Sequence, residues 1–206
     1  FSINRIGFSD TVEGGQSITF GNEFSLQNKD NKDLLSFNIA TVLRDTKNTR
    51  LPESSTIGRK NSDIFGDINF NVNEFIDLDY NFALDNNFKT SNFNQIKTTL
   101  NFYNFISTFD FLERNNITGS ESYISNETKL KINKSSSLSF KTRKNKNTDL
   151  TEYYNLLYEY KNDCLTAGIE FKKDFYSDGS LRPEEQLFFS ITIMPLGKFS
   201  SPDINQ

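Results

Sequence analysis

Asp77, Asp79 and Asp85 stand close together in FIDLDYNFALDNNF (75–88), and on an extended chain all three share one side. Carboxylates placed this way can bind a hard cation, including the cations that bridge phosphates of anionic lipids. No glycine-bearing calcium-loop spacing accompanies them, so the plainer reading is a row of solvated carboxylates. Lys129, Lys131, Lys134, Lys141, Arg143, Lys144 and Lys146 make a basic group of the opposite kind. It suits either the binding of anionic head groups or a solvated rim, and residue types alone leave both open. The chain has no His, which excludes Ser–His–Asp and Cys–His catalysis and His-containing zinc sites within it. Cys164 is the only cysteine, so neither an internal disulfide nor a Cys-rich metal site is available. The expectation is a protein that is not an enzyme, with no cofactor and no metal. The net charge of −4 includes no basic stripe, so nucleic acid is not an expected partner.

The elements that carry these residues are strands. Ile76, Leu78, Tyr80, Phe82 and Leu84 fall on one parity, with Asp77, Asp79 and Asn81 between them. The same alternation returns along the chain: Ile18–Leu26, Leu35–Leu43, Ile64–Val72, Ile96–Leu100, Phe105–Phe111, Thr128–Ile132, Leu138–Phe140, Tyr154–Tyr160, Leu165–Phe171 and Leu187–Ile193. About eleven strands result, many near the 9–11 residues that a tilted transmembrane strand needs. Some turns are short (73–74, 133–136, 161–163). Others are long and polar: 46–61, 115–122 and 177–185. No apolar run approaches the roughly 20 residues of a membrane helix. The start at Phe1, without Met, reads as a mature or truncated segment.

An alternating strand needs something apolar to face, which is either a protein core or lipid. A soluble sandwich or solenoid also alternates. Three features favour lipid. The apolar parity stays nearly free of charge through mid-strand, where Lys or Arg facing lipid costs roughly 2–4 kcal/mol. The other parity carries Asp77, Asp79, Glu170 and Lys172, which suits a hydrated lumen. Tyr103, Phe105, Tyr153, Tyr160, Phe175 and Tyr176 gather near strand ends, where an aromatic girdle lies. Lipid-facing strands require a closed sheet, so the expected fold is all-β: an antiparallel transmembrane β-barrel.

Specific stretches add a resemblance. NRIGFSDTVEGGQSITFG (4–21), FNIATVLRDT (37–46), NSDIFGDINF (61–70), YNFALD (80–85) and YEYKNDCLTAGIEFKKDFYSDGSLRPEEQLFFSITIMPLG (158–197) occur in the right order. Together they resemble the LptD family, the lipopolysaccharide-assembly proteins of the bacterial outer membrane. The resemblance implies a barrel of about 26 strands, at the large end for bacteria. This chain would then supply about eleven C-terminal strands (1–197) and a short C-terminal tail (198–206).

The implied function is to receive lipopolysaccharide from a periplasmic LptA-like bridge and insert it into the outer leaflet through a polar lumen and a lateral seam. An LptE-like lipoprotein would plug the barrel. Leu187, Phe189, Ile191, Ile193 and Pro195 would form one lip of that seam. Pro195 lacks an N–H and can either weaken pairing there or simply end the strand. Cys164 would either join the barrel to a periplasmic domain by a disulfide whose partner lies outside the chain or stand as a free thiol at a periplasmic turn. Asp77, Asp79, Lys129, Lys131, Lys141 and Arg143 would contact head groups in the lumen. A general outer-membrane porin for small solutes is the alternative.

Overall fold

The computed structural model describes residues 14–51, 56–116, 119–175, 183–193, 197–200 and 204–205. Within them the chain is strand and turn, with one 3-10 turn at Thr56–Gly58. The eleven long strands are β1 (Ser17–Gln27), β2 (Asp33–Arg44), β3 (Ile64–Asn73), β4 (Ile76–Leu84), β5 (Ser91–Phe102), β6 (Phe105–Asn116), β7 (Gly119–Lys131), β8 (Ser136–Asn145), β9 (Leu150–Lys161), β10 (Leu165–Asp174) and β11 (Glu184–Ile193). Two short strands follow, β12 (Gly197–Ser200) and β13 (Ile204–Asn205). They form one antiparallel sheet in which β1 to β12 neighbour each other in chain order, and β13 also pairs with β11. The all-β, antiparallel expectation is met.

The chain divides into two compact units: Phe1–Asn71, Leu78–Gln95 and Glu113–Ser120 in one, Val72–Asp77, Ile96–Leu112 and Glu121–Gln206 in the other. In the first unit, register sorts the side chains by chemistry. Ile18↔Leu43, Phe24↔Phe37 and Leu26↔Leu35 lie on one face, while Glu23↔Asn38 and Ser25↔Ser36 lie on the other. The next pair continues the division, with Phe37↔Ile68 against Asn38↔Asp67. The apolar face is not packed under anything: Ile18, Phe20, Phe24 and Leu26 are 50–62% exposed. The polar face has the denser surroundings. The loop after β2 returns against it, and Val42, Arg44, Leu51, Ser62, Asp63 and Ala83 are buried there.

The second unit repeats the pattern. Leu138↔Tyr158, Tyr158↔Ile169 and Ile169↔Phe189 run across four strands on one face. Lys141↔Asn155, Asn155↔Lys172 and Lys172↔Gln186 run across the other. Among the described residues of the whole chain, the buried apolar set is only Val42, Leu51, Ala83 and Leu112. Large apolar side chains, from Ile18 on β1 to Ile191 on β11, stay exposed instead. Single exposed apolar residues are ordinary, but a continuous face of them is not.

Asparagine supplies the turns. Asn133 Oδ1 accepts the N–H groups of Ser135 and Ser136, each at 2.8 Å. Asn162 Oδ1 does the same for Cys164 (3.0 Å) and Leu165 (2.8 Å), and Asn73 for Phe75 at 2.8 Å. The side chain imitates a backbone carbonyl, which is why so Asn-rich a chain reverses direction with few glycines. In the second unit the connections 74–75, 103–104, 132–135 and 162–164 are all short and all fall at one end of the strands. The connections at the other end, 146–149 and 175–183, include the longer one.

Two expectations need correction. The polar stretch 115–122 is not a long loop, because β6 continues to Asn116 and β7 starts at Gly119. Ladder pairing is made by backbone groups, so polar side chains at a solvated strand end do not prevent it. The segment after β11 is not only a tail, since parts of it pair with β11 as β12 and β13.

Candidate functional site

The polar face holds the residues singled out for chemistry. Lys129, Lys131, Lys141 and Arg143 all fall on it: Lys129 opposes Ser139, Lys131 opposes Ser137, Lys141 opposes Glu127 and Arg143 opposes Ser125. They are not equivalent cations. Lys141 Nζ lies 2.9 Å from Glu127 Oε1. Arg143 donates from Nε to Glu152 and lies between two rings, 5.3 Å from the centre of Tyr123 and 5.5 Å from that of Tyr153. Its charge is paired with a carboxylate and held near two ring faces. Lys129 and Lys131 make no ion pair among the described residues, so they are the pair left to meet an outside anion.

Lys144, a member of the basic group in sequence, opposes Ile124 and so falls on the apolar parity. It sits next to the end of β8 and reaches Asp149 in the following turn at 2.6 Å. The Lys144 ammonium holds the Asp149 carboxyl below its ordinary value, first through their hydrogen bond and then through charge attraction. Lys173 and Glu185 also fall on the apolar parity and pair with each other. All three charges stand at strand ends, where a long side chain can turn its head to water.

Tyr153 belongs to the polar face through Arg143, so it is not part of an aromatic girdle. Two of the expected aromatic residues do meet other rings, Tyr103 among them and Phe175 edge-on to Tyr154 with centres 5.7 Å apart. Phe75 and Phe102 stack with centres 5.7 Å apart, and Tyr103 joins at 6.3 Å, at the short-turn end. Tyr176 lies outside the described residues.

Asp77 and Asp79 sit on the polar parity of β4. Asp85 lies beyond the strand end and serves its own turn, where its carboxylate accepts from Asn87 Nδ2 at 3.2 Å. Among the described residues no three Cys, Asp or Glu side chains are grouped closely enough to hold a metal ion. Polar contacts continue across β9 and β10, where Asn155 Nδ2 donates to Glu170 Oε1 at 2.6 Å and Lys172 meets Asp174 at 2.7 Å. Cys164 is a free, exposed thiol in the turn between β9 and β10, at the short-turn end.

Two features escaped the sequence reading. The first unit carries a cleft of about 470 Å³ lined by Gly21, Glu23, Asn38, Ala40, Asp67 and Asn81, among others. Gly21, with no side chain, and Ala40, with a methyl group, oppose each other across β1 and β2 and leave room there. Asp67 Oδ2 accepts from Asn38 Nδ2 at 2.9 Å and from Asn69 Nδ2 at 3.2 Å, so the wall is ordered. The second is the network behind the loop after β2. Arg44 donates from Nε to Ile57 O at 2.6 Å, Val42 N donates to Ser62 Oγ at 2.8 Å, and Asn92 Nδ2 donates to Asp63 Oδ2 at 2.8 Å. Arg44, Ser62 and Asp63 lie in FNIATVLRDT and NSDIFGDINF, and they fix the loop against the polar face.

The seam residues Leu187, Phe189, Ile191 and Ile193 alternate on the apolar face of β11, opposite Phe171, Ile169, Ala167 and Leu165. Pro195 lies outside the described residues. No protein-family model matches the chain, and no curated protein matches it.

Proposed function

We propose that the chain is the C-terminal part of a bacterial outer-membrane β-barrel of about 26 strands. Its proposed task is to move lipopolysaccharide, without enzymatic chemistry, from the periplasm into the outer leaflet. The observation that carries the membrane part is the division of the sheet into two faces. Each unit has an exposed apolar face (Ile18, Phe24 and Leu26 on β1 in the first, Ile169 and Phe171 on β10 in the second) opposite a face lined by amides and charged groups, and the charges on the apolar parity of β8–β11 stand only near strand ends. Hydrocarbon satisfies the first face and water the second. The short turns of the second unit mark the periplasmic rim in this reading. Cys164 stands at that rim, which suits a tether to a periplasmic domain.

The ordered stretches that resemble the LptD family support lipopolysaccharide as the cargo, an LptE-like plug and an LptA-like bridge as partners, and β11 beside the lateral seam. In this account Lys129 and Lys131 meet head-group phosphates, and the amide-rich cleft of the first unit suits sugar hydroxyls.

Photo-crosslinking in cells tests the proposal. Photo-reactive side chains placed at Asp79 and Lys129 of the whole protein should capture lipopolysaccharide, whereas one at Ile169 should capture membrane lipid. Absence of lipopolysaccharide at both polar positions, with free conduction of small ions by the purified protein in a planar bilayer, would instead establish a porin.

A further inference from the structure

Two lysines stand on the apolar side of the second unit, at the end opposite its short turns. Lys144 opposes Ile124 on β7. Lys146 keeps the same side, since it is two residues further on and its N–H donates to Ser122 O at 2.7 Å. The turn that follows is fixed, because Asn145 Oδ1 accepts the N–H groups of Asn147 (3.0 Å) and Thr148 (3.2 Å). Beside the pair, Ile124 is 43% exposed, and the Phe111 ring lies under Lys146 with its centre 5.2 Å from Nζ. A ring face occupies one side of an ammonium and leaves other N–H donors open. Lys146 makes no ion pair among the described residues, and Lys144 pairs with Asp149, whose side chain is 87% exposed. Lys173 gives the contrast: it also lies over a ring, Phe175 at 5.3 Å, but Glu185 takes its charge.

We propose that Lys144 and Lys146 hold a phosphate of a lipopolysaccharide molecule already in the outer leaflet, on the outside of the sheet. Inward from the strand end, this side of β8 runs from Lys144 through Thr142 to Phe140 and Leu138. A lipid runs the same way, from charged head group to acyl chain, and long cationic side chains at a strand end reach the head-group level. The site is separate from Lys129 and Lys131, which lie on the opposite face and towards the other end of the strands. It rests on the membrane reading of the apolar face, in which the short turns are periplasmic and this end meets the outer leaflet. It adds to that reading a resting place for delivered lipid.

The test uses the whole protein in phosphatidylcholine vesicles that contain a minor share of diphosphoryl lipid A. A photo-reactive side chain at Ile124, opposite Lys144, samples the lipids beside the pair. It should capture lipid A about fivefold above that lipid's share of the vesicle, the preference one lysine gives near an anionic lipid surface. Lys146→Gln, alone or with Lys144→Gln, should bring capture back towards that share. Lys161→Gln, at an exposed lysine of the short-turn end, should leave the excess unchanged. Lipid A stripped of its phosphates should show no excess. Capture of both lipids in proportion to their amounts, or an excess that survives the changes at Lys144 and Lys146, would overturn the site and leave the membrane reading standing. No lipid captured at Ile124 would overturn both.

Discussion

Replacing Ile169 by Arg should destabilise the protein folded in lipid vesicles by about 2–4 kcal/mol, the cost of a guanidinium held against hydrocarbon near the middle of a strand. Ile169 is the fifth residue of β10, opposite Tyr158 on β9 and Phe189 on β11. It is 46% exposed. If that exposure were to water, Arg would cost almost nothing, since exposed substitutions away from special features fall within about 0.5 kcal/mol. The same residue therefore gives opposite answers under the two readings of the face. Gln186→Lys is the control, placed on the polar face opposite Lys172 and near Glu184 and Asp174. It should change stability by no more than about 0.5 kcal/mol. Urea titration of both variants in vesicles, beside the parent, measures the difference.

The second large effect is at Gly66. A Cβ there would fall 2.3 Å from Phe82 Cζ, 2.6 Å from Phe82 Cε1 and 3.0 Å from the Asn38 carbonyl oxygen. The Phe82 ring thus lies over the bare backbone of β3, where it also stacks on Tyr80 at 5.5 Å between centres. An aromatic ring laid across a strand glycine replaces the side chain that the glycine lacks. Gly66→Ala should cost about 1–3 kcal/mol, because the ring must move and the Asn38 carbonyl cannot yield easily. Gly66→Ala combined with Phe82→Ala should cost less than the sum of the two single changes, with a coupling of at least about 0.5 kcal/mol. Strict additivity in denaturant titrations would show that ring and glycine do not touch.

How much of this was legible beforehand follows from the range of each interaction. Period-two alternation is local, so β4 could be read directly from Ile76, Leu78, Tyr80, Phe82 and Leu84, and the polar positions of Asp77 and Asp79 came with it. In the 115–122 stretch polar composition does not mark the end of pairing, since Glu113–Asn116 extend β6 through backbone bonds. β12 and β13, four residues and two, are too short to show a period at all. The basic group is the clearest limit. Alternation along β8 already puts Lys144 on the face opposite Lys141 and Arg143, but only register decides that Lys141 meets Glu127, and register is set by turns and bulges, one of which brings Glu152 to Arg143. The Arg44–Ile57 and Asn92–Asp63 bonds join residues far apart in sequence, so no local pattern announces them. The proposed cargo rests on the resemblance of several short stretches in order, and alternation by itself is silent about it.

In the proposed transporter, apolar side chains of the sheet are in contact with hydrocarbon. Nitroxide labels placed one at a time along β10, from Leu165 to Asp174, in the whole protein reconstituted in lipid vesicles test this most directly. Oxygen, which dissolves in the bilayer, should relax labels at 165, 167, 169 and 171. A water-soluble nickel chelate should relax those at 166, 168, 170 and 172. Equal access by the nickel reagent on both parities, or labels on the apolar parity shielded from both reagents by protein, would contradict it.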